Sequence, residues 1–203
     1  MLHSLVWASS GTGFIFLMTT LGAAVVFFFS GEIKLRFQAV MMGFAAGVML
    51  AASVWSLLIP AIDQTRSSGL LPGWLPAALG IVIGAAFLML LDSFISRRGW
   101  GGSGTDTATP LLVTAITIHN IPEGMAVGLA FALASGGEGL AAAGALALGI
   151  GIQNFPEGAA VSLPLRQMGM SRSRAFWTGV LSGAVEPLFG ILVVLAASGV
   201  QPA

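Results

Sequence analysis

The chain has 203 residues, of which 56% are hydrophobic and only 8% are charged, and its mean hydropathy is +0.95. A soluble domain carries about a quarter charged residues, so this chain has too little polar surface to face water, and we expect an all-α integral membrane protein. The formal net charge is zero, which gives no reason to expect a nucleic-acid partner, and the lack of cysteine excludes disulfides and thiolate metal ligands.

Six apolar segments are long enough to cross the bilayer as helices, which takes about 20 residues. They are 9–30, 36–62, 73–95, 108–135, 139–165 and 174–198. We therefore predict one transmembrane domain, residues 1–203, built as a polytopic bundle of six helices in contact with the lipid bilayer. The start of the chain has no basic region of the kind that precedes a cleaved signal peptide.

The basic residues predict the orientation of these helices. All of them lie near segment ends, and only Arg66 falls in the second loop. The first, third and fifth loops carry the others, which are Lys34, Arg36, Arg97, Arg98, Arg166, Arg172 and Arg174. Because cytoplasmic loops carry the excess of Lys and Arg, we predict that the odd loops are cytoplasmic and both termini lie outside, in the cytoplasmic (inner) membrane.

The fourth and fifth segments repeat one polar pattern, "HNIPEG" at 119–124 and "QNFPEG" at 153–158. Residues three and four apart share a helix face, which groups two sets of side chains, His119 with Asn120 and Glu123, and Gln153 with Asn154 and Glu157. Each motif also contains a proline, Pro122 or Pro156, which removes a backbone hydrogen bond and is expected to kink its helix. Transporters use such interrupted helices around binding sites within the membrane.

Three acids lie deep in consecutive segments, Glu123, Glu157 and Glu186. An ionisable group at this depth costs roughly 3 kcal/mol, so the three must face one another, water or a cation. Carboxylates, amides and one imidazole suit a divalent ion such as Zn, Fe(II), Mn, Co or Cd. A total charge of −3 accommodates one or two such ions, and protonation of a glutamate would weaken their binding.

These motifs, together with "VEP" at 185–187 and "GFAAGVMLAASVWSLLIPAID" in the second segment, resemble the ZIP (Zrt/Irt-like) family of divalent metal transporters, in its prokaryotic GufA/ZupT-like branch. The resemblance implies a binuclear centre in which Glu123 and Glu157 bridge two metal positions. One position would be formed by Met49, His119, Glu123, Gln153 and Glu157. The other would be formed by Asn120, Glu123, Asn154, Glu157 and Glu186. Ser56 and Asp63 would line the entrance path, whereas spacing alone would class Met49 as apolar filler.

The chain departs from the family pattern in two ways. Some relatives have Asp where this chain has Asn154, so the second metal position loses a charge. The family generally has eight membrane helices, so helices resembling its last two are expected to be absent. That would leave a truncated product, or a partner chain supplying the remainder, and a homodimer is also compatible with the Gly-rich helix surfaces.

Three functions are compatible with these residues. The first is a transporter that moves a divalent ion into the cytoplasm, with the metal as cargo and no organic cofactor. The second is a metal-binding membrane subunit without transport activity, which the expected loss of helices would favour. The third is an intramembrane metallohydrolase, which is disfavoured because the chain has no H-E-x-x-H pattern and each candidate acid is already assigned to the metal.

Overall fold

A computed structural model describes residues 2–29, 35–69, 71–97, 108–134 and 137–200, and the regular elements in these ranges are all helical. The α-helices are α1 (Leu2–Ala24), α2 (Leu35–Ala52), α3 (Ile59–Ser68), α4 (Trp74–Arg97), α5 (Ala108–Leu133), α6 (Gly137–Gln167), α7 (Arg172–Gly183) and α8 (Val185–Val200). A 3₁₀ turn at Val25–Phe27 extends α1, and a π-helical segment at Ser53–Leu58 joins α2 to α3.

Five stretches of the described residues are long and apolar enough to cross a membrane, as expected for a helical membrane bundle. They are His3–Phe27, Ala46–Ser67, Val113–Leu133, Gly139–Gln167 and Arg172–Ala197, and each corresponds to a predicted segment. Helix α4 occupies the position of the remaining predicted segment, 73–95. Its described apolar part, Trp74–Phe87, is shorter than a full span, so the sixth crossing stays a prediction.

The chain divides into two compact units, one formed by Met1–Met49 and Leu112–Ala203 and the other by Leu50–Leu111. In the second unit the π-helical segment and α4 both pack against α3. The π-helical segment ends two residues before Pro60, which has no N–H to donate to the carbonyl four residues earlier, inside that segment. A widened turn is a common response to such a missing bond.

In the first unit, α1 packs along α6 and also contacts α7 and α8. Glycines permit this close approach. A Cβ atom on Gly22 would overlap the Phe155 carbonyl, and one on Gly158 would overlap the Thr19 carbonyl. Backbones that meet through small residues are typical of helix pairs in membranes, where packing rather than water exclusion drives association.

Two apolar clusters of the first unit enclose a polar layer. One cluster includes Ile15, Phe131 and Ile150. The other includes Val26 and Ala159. On α6 the residues between the two clusters include Gln153, Asn154 and Glu157. On α5 the motif 119–124 likewise lies between Ile116 of one cluster and Val127 of the other, so both polar motifs lie at the level between the clusters.

The segment 174–198 was expected to form one helix, but it is interrupted at Ala184. The N–H of Ala184 still bonds to the carbonyls of Val180 and Leu181, at 3.1 and 3.3 Å. Pro187 then has no N–H to donate to the Gly183 carbonyl, and α8 starts anew at Val185. This interruption places Glu186 in the first turn of α8, where the helix dipole favours a negative charge.

Candidate metal site

The first part of the site is a pair of side chains on one face of α5. His119 and Glu123 are four residues apart, and the His119 Nε2 atom lies 3.4 Å from Glu123 Oε1. Glu157 approaches from α6, and one ligand atom from each of the three residues lies within 4.8 Å of the others. Zinc binds nitrogen and oxygen at about 2.0–2.2 Å, so small side-chain movements bring all three atoms onto one ion.

Glu123 is also tied to the neighbouring helix. The amide nitrogen of Gln153 on α6 donates a hydrogen bond to Glu123 Oε1. Both side chains are buried, and Glu123 Oε2 has no hydrogen-bond partner. The two copies of the motif thus face each other across the contact between α5 and α6.

Glu186 brings a third carboxylate to this level of the bundle. It is fully buried. A Thr19 hydroxyl from α1 donates a 2.9 Å hydrogen bond to Glu186 Oε1. Glu123 and Glu157 lie in one cluster, and the backbone of Glu186 packs against Gly124, the residue that follows Glu123.

The two asparagines of the motifs are completely buried. The Asn120 amide nitrogen donates a 2.9 Å hydrogen bond to the Ser182 carbonyl in α7, which leaves Asn120 Oδ1 without a partner. Neither polar atom of the Asn154 side chain has a hydrogen-bond partner. A buried polar group without a partner costs about 1–3 kcal/mol, so the free oxygens of both side chains are candidate metal ligands.

The buried atoms without hydrogen bonds in the described part of the chain are mostly oxygens at this site. They include Asn120 Oδ1, Glu123 Oε2, Gln153 Oε1, Asn154 Oδ1, Glu157 Oε1, Glu157 Oε2 and Glu186 Oε2. Seven buried oxygens, four of them from carboxylates, form a poor environment for an anion or an apolar ligand. This donor set fits a divalent cation.

The structure does not test several predicted residues. Met49 lies in α2 and Ser56 in the π-helical segment, but their side chains lie outside the described part of the structure. Asp63 is in the second unit, where it is exposed and 4.0 Å from Arg66. The motif prolines Pro122 and Pro156 lie inside α5 and α6, and the kinks expected there stay predictions.

Two contacts of the cluster were not foreseen from the sequence. Thr19 contacts Glu186, and the Ser182 carbonyl fixes the amide of Asn120. A threonine in an apolar helix does not by itself predict a polar contact with another helix, because its hydroxyl can bond to a backbone carbonyl of its own helix. A backbone carbonyl gives a signal only where a helix break frees it, and the break at Ala184 was not predicted from the sequence.

The fold and the cluster together define a class of protein, a multi-pass helical membrane protein with a cluster of carboxylates and an imidazole whose chemistry fits a divalent cation. No protein-family model matches the chain. Several known proteins are nevertheless similar to it in sequence. The chain is 36% identical to "Zinc transporter ZIP11" of Homo sapiens, covering 98% of this chain and 83% of that protein. It is 37% identical to "Zinc transporter GufA" of Myxococcus xanthus, covering 91% and 75%, and 39% identical to "Zinc transporter ZIPB" of Bordetella bronchiseptica, covering 91% and 60%.

The chain therefore belongs to the ZIP (Zrt/Irt-like) family, and the predicted resemblance is confirmed. Its relatives are transport proteins and not enzymes, so the hydrolase hypothesis is set aside. Divalent metal ions are the substrates of this family, and the protein is an integral multi-pass membrane protein.

Proposed function

We propose that this protein transports zinc across the cytoplasmic membrane into the cytoplasm, through a metal site in the middle of the bilayer. The observation that carries the proposal is the convergence of His119, Glu123 and Glu157 within 4.8 Å. This cluster lies between two apolar clusters, so an ion bound there is far from both ends of the helices. The names of the relatives support zinc as the cargo.

The site is proposed to hold two ions. The first would bind Met49, His119, Glu123, Gln153 and Glu157. The second would bind Asn120, Glu123, Asn154, Glu157 and Glu186, so that Glu123 and Glu157 bridge the two. The negative charge of three ionised carboxylates neutralises one dication completely and two dications in part. The buried oxygens without hydrogen bonds support both metal positions. The same ligands would accept Fe(II), Mn, Co or Cd.

The contacts of the site suggest how an ion is loaded. A dication would neutralise the negative charge that the glutamates carry when they are ionised. Loading also requires the Gln153 amide to release Glu123 Oε1, or to turn its own oxygen towards the ion. Ser56 and Asp63 are proposed to lie along the entrance path. The kinks at Pro122 and Pro156 would open the backbone around the cavity.

Transport by purified protein in liposomes tests the proposal. Vesicles containing the full chain and a zinc-sensitive dye are expected to show zinc influx, which Glu123→Gln and His119→Ala reduce strongly. His3→Ala is the matched control, because His3 is exposed near the N-terminus and away from the cluster.

The outcomes separate the hypotheses. Zinc binding without influx would indicate a metal-binding subunit instead of a transporter. Influx that is unchanged in both Glu123→Gln and His119→Ala would show that the ion does not pass through this cluster.

A further inference from the structure

Helix α1 contributes no residue to the predicted metal ligands, yet it contacts one of them directly. The Thr19 hydroxyl oxygen lies 2.9 Å from Glu186 Oε1 and 3.3 Å from the carbonyl of Ile15. A hydroxyl has one hydrogen to donate, and a charged acceptor at the shorter distance forms the stronger bond. Thr19 is 1% exposed and Glu186 is 0% exposed, so water does not compete for this bond.

The two oxygens of Glu186 differ in their surroundings. Oε1 accepts the Thr19 hydrogen bond, whereas Oε2 is buried and makes no hydrogen bond of good geometry, although the Asn154 side chain lies beside this carboxylate. Because this hydrogen bond holds one oxygen, the carboxylate group cannot rotate freely, and the position of its second oxygen is fixed. The free Oε2 is therefore the atom that remains for a metal ion.

Thr19 is itself held in place by close packing. Its carbonyl lies where a Cβ on Gly158 would stand, and its methyl group lies 2.8 Å from where a Cβ on Gly183 would stand. Gly158 follows Glu157 on α6, and Gly183 is the last residue of α7 before the break that precedes Glu186. Thr19 is thus enclosed between both halves of the site, and its β-branched side chain has little rotamer freedom there.

We propose that Thr19 is a positioning residue that presents Glu186 to the metal through a single oxygen. This inference rests on the proposed function, in which Glu186 is a metal ligand. A carboxylate restricted to one oxygen favours a small ion with few ligands such as Zn, because larger ions more often take both oxygens. Loss of the hydroxyl would release Oε1 and reduce the preference for zinc over cadmium.

Thr19→Val tests this proposal, because it removes the hydroxyl and keeps the shape. Removal of a residue that orients a metal ligand typically costs 10–100-fold in affinity. We expect zinc affinity to fall by about 10–100-fold in the purified full chain, and cadmium affinity to fall less. Thr19→Ser is expected to restore both.

Thr12→Val is the matched control. Thr12 lies about two turns earlier on the same face of α1, is fully buried, and bonds to the Ala8 carbonyl at 2.8 Å. It should lower the melting temperature of the metal-free protein about as much as Thr19→Val, without a change in zinc affinity. If Thr19→Val does not fold, Thr19→Ala replaces it, since alanine lacks the hydroxyl and adds no bulk.

The Glu186→Gln variant separates the proposed role of Thr19 from the proposed role of Glu186 as a metal ligand. Wild-type affinity in Thr19→Val, with a loss in Glu186→Gln, would refute the role of Thr19 and leave the site intact. Wild-type affinity in both would instead refute Glu186 as a ligand. Equal losses of affinity in Thr19→Val and Thr12→Val would assign Thr19 to packing alone and overturn the proposal.

Discussion

Gly124 lies where α5 meets the backbone of Glu186, so Gly124→Ala is expected to disturb the site through packing. A Cβ on Gly124 would stand 2.2 Å from the Glu186 carbonyl oxygen, whereas ordinary contact begins at 3.4 Å. Helix α8 would have to retreat from α5 by about 1.2 Å, an overpacking that typically costs about 1–3 kcal/mol. The displaced residue is a proposed ligand, so we expect zinc affinity to fall at least about tenfold.

Gly128→Ala is the matched control for this substitution. One turn further along α5, a Cβ there would stand 2.4 Å from the Gly190 carbonyl oxygen, so the overlap with α8 is of similar size. We expect a similar loss of stability and a smaller loss of zinc affinity. Gly144→Ala on α6 is the neutral control, because a Cβ there meets nothing within 4 Å.

The assay combines thermal unfolding of metal-free protein in detergent with competition for zinc against a fluorescent chelator. Equal zinc affinities in Gly124→Ala and Gly128→Ala, at equal losses of stability, would refute the argument that the α5–α8 contact positions Glu186. A wild-type melting temperature in Gly124→Ala would refute the close packing itself.

Three further variants probe other parts of the molecule. Asn154→Asp adds a fourth carboxylate, so a second zinc ion should bind more tightly, which titration by calorimetry would detect as a second saturating step. Asp63→Ala should leave stability and equilibrium zinc affinity unchanged, because the side chain is exposed, but should slow influx in liposomes if it lines the entrance. Phe131→Ala removes a buried ring that stacks on Trp7, so it should cost about 3 kcal/mol in unfolding experiments while zinc affinity stays near wild type.

Much of the fold could be predicted because apolar length alone marks a membrane span. Five of the six predicted segments correspond to spans of the structure. The break at Ala184 was missed because 174–198 is apolar on both sides of it, and length and hydropathy do not register a local loss of hydrogen bonds. The π-helical segment at Ser53–Leu58 was not predicted for the same reason, although Pro60 lies two residues beyond its end.

The polar part of the cluster was predictable from helical spacing. Residues such as His119 and Glu123 share a face whatever the rest of the bundle does, and a buried acid needs a partner. The approach of Thr19 to Glu186 was not predictable in this way. It depends on which face of α1 packs on α6, and this depends on Gly22 and Gly158, whose small-residue pattern is common in membrane helices.

Anomalous scattering from crystals of the protein soaked with zinc or cadmium would locate the bound ion directly. We expect an anomalous peak about 2.0–2.5 Å from oxygens of both Glu123 and Glu157, with His119 on the same ion and a second, weaker peak beside Glu186. Peaks found only at exposed acids such as Asp63, with none near these three carboxylates, would contradict a transport site within the bundle.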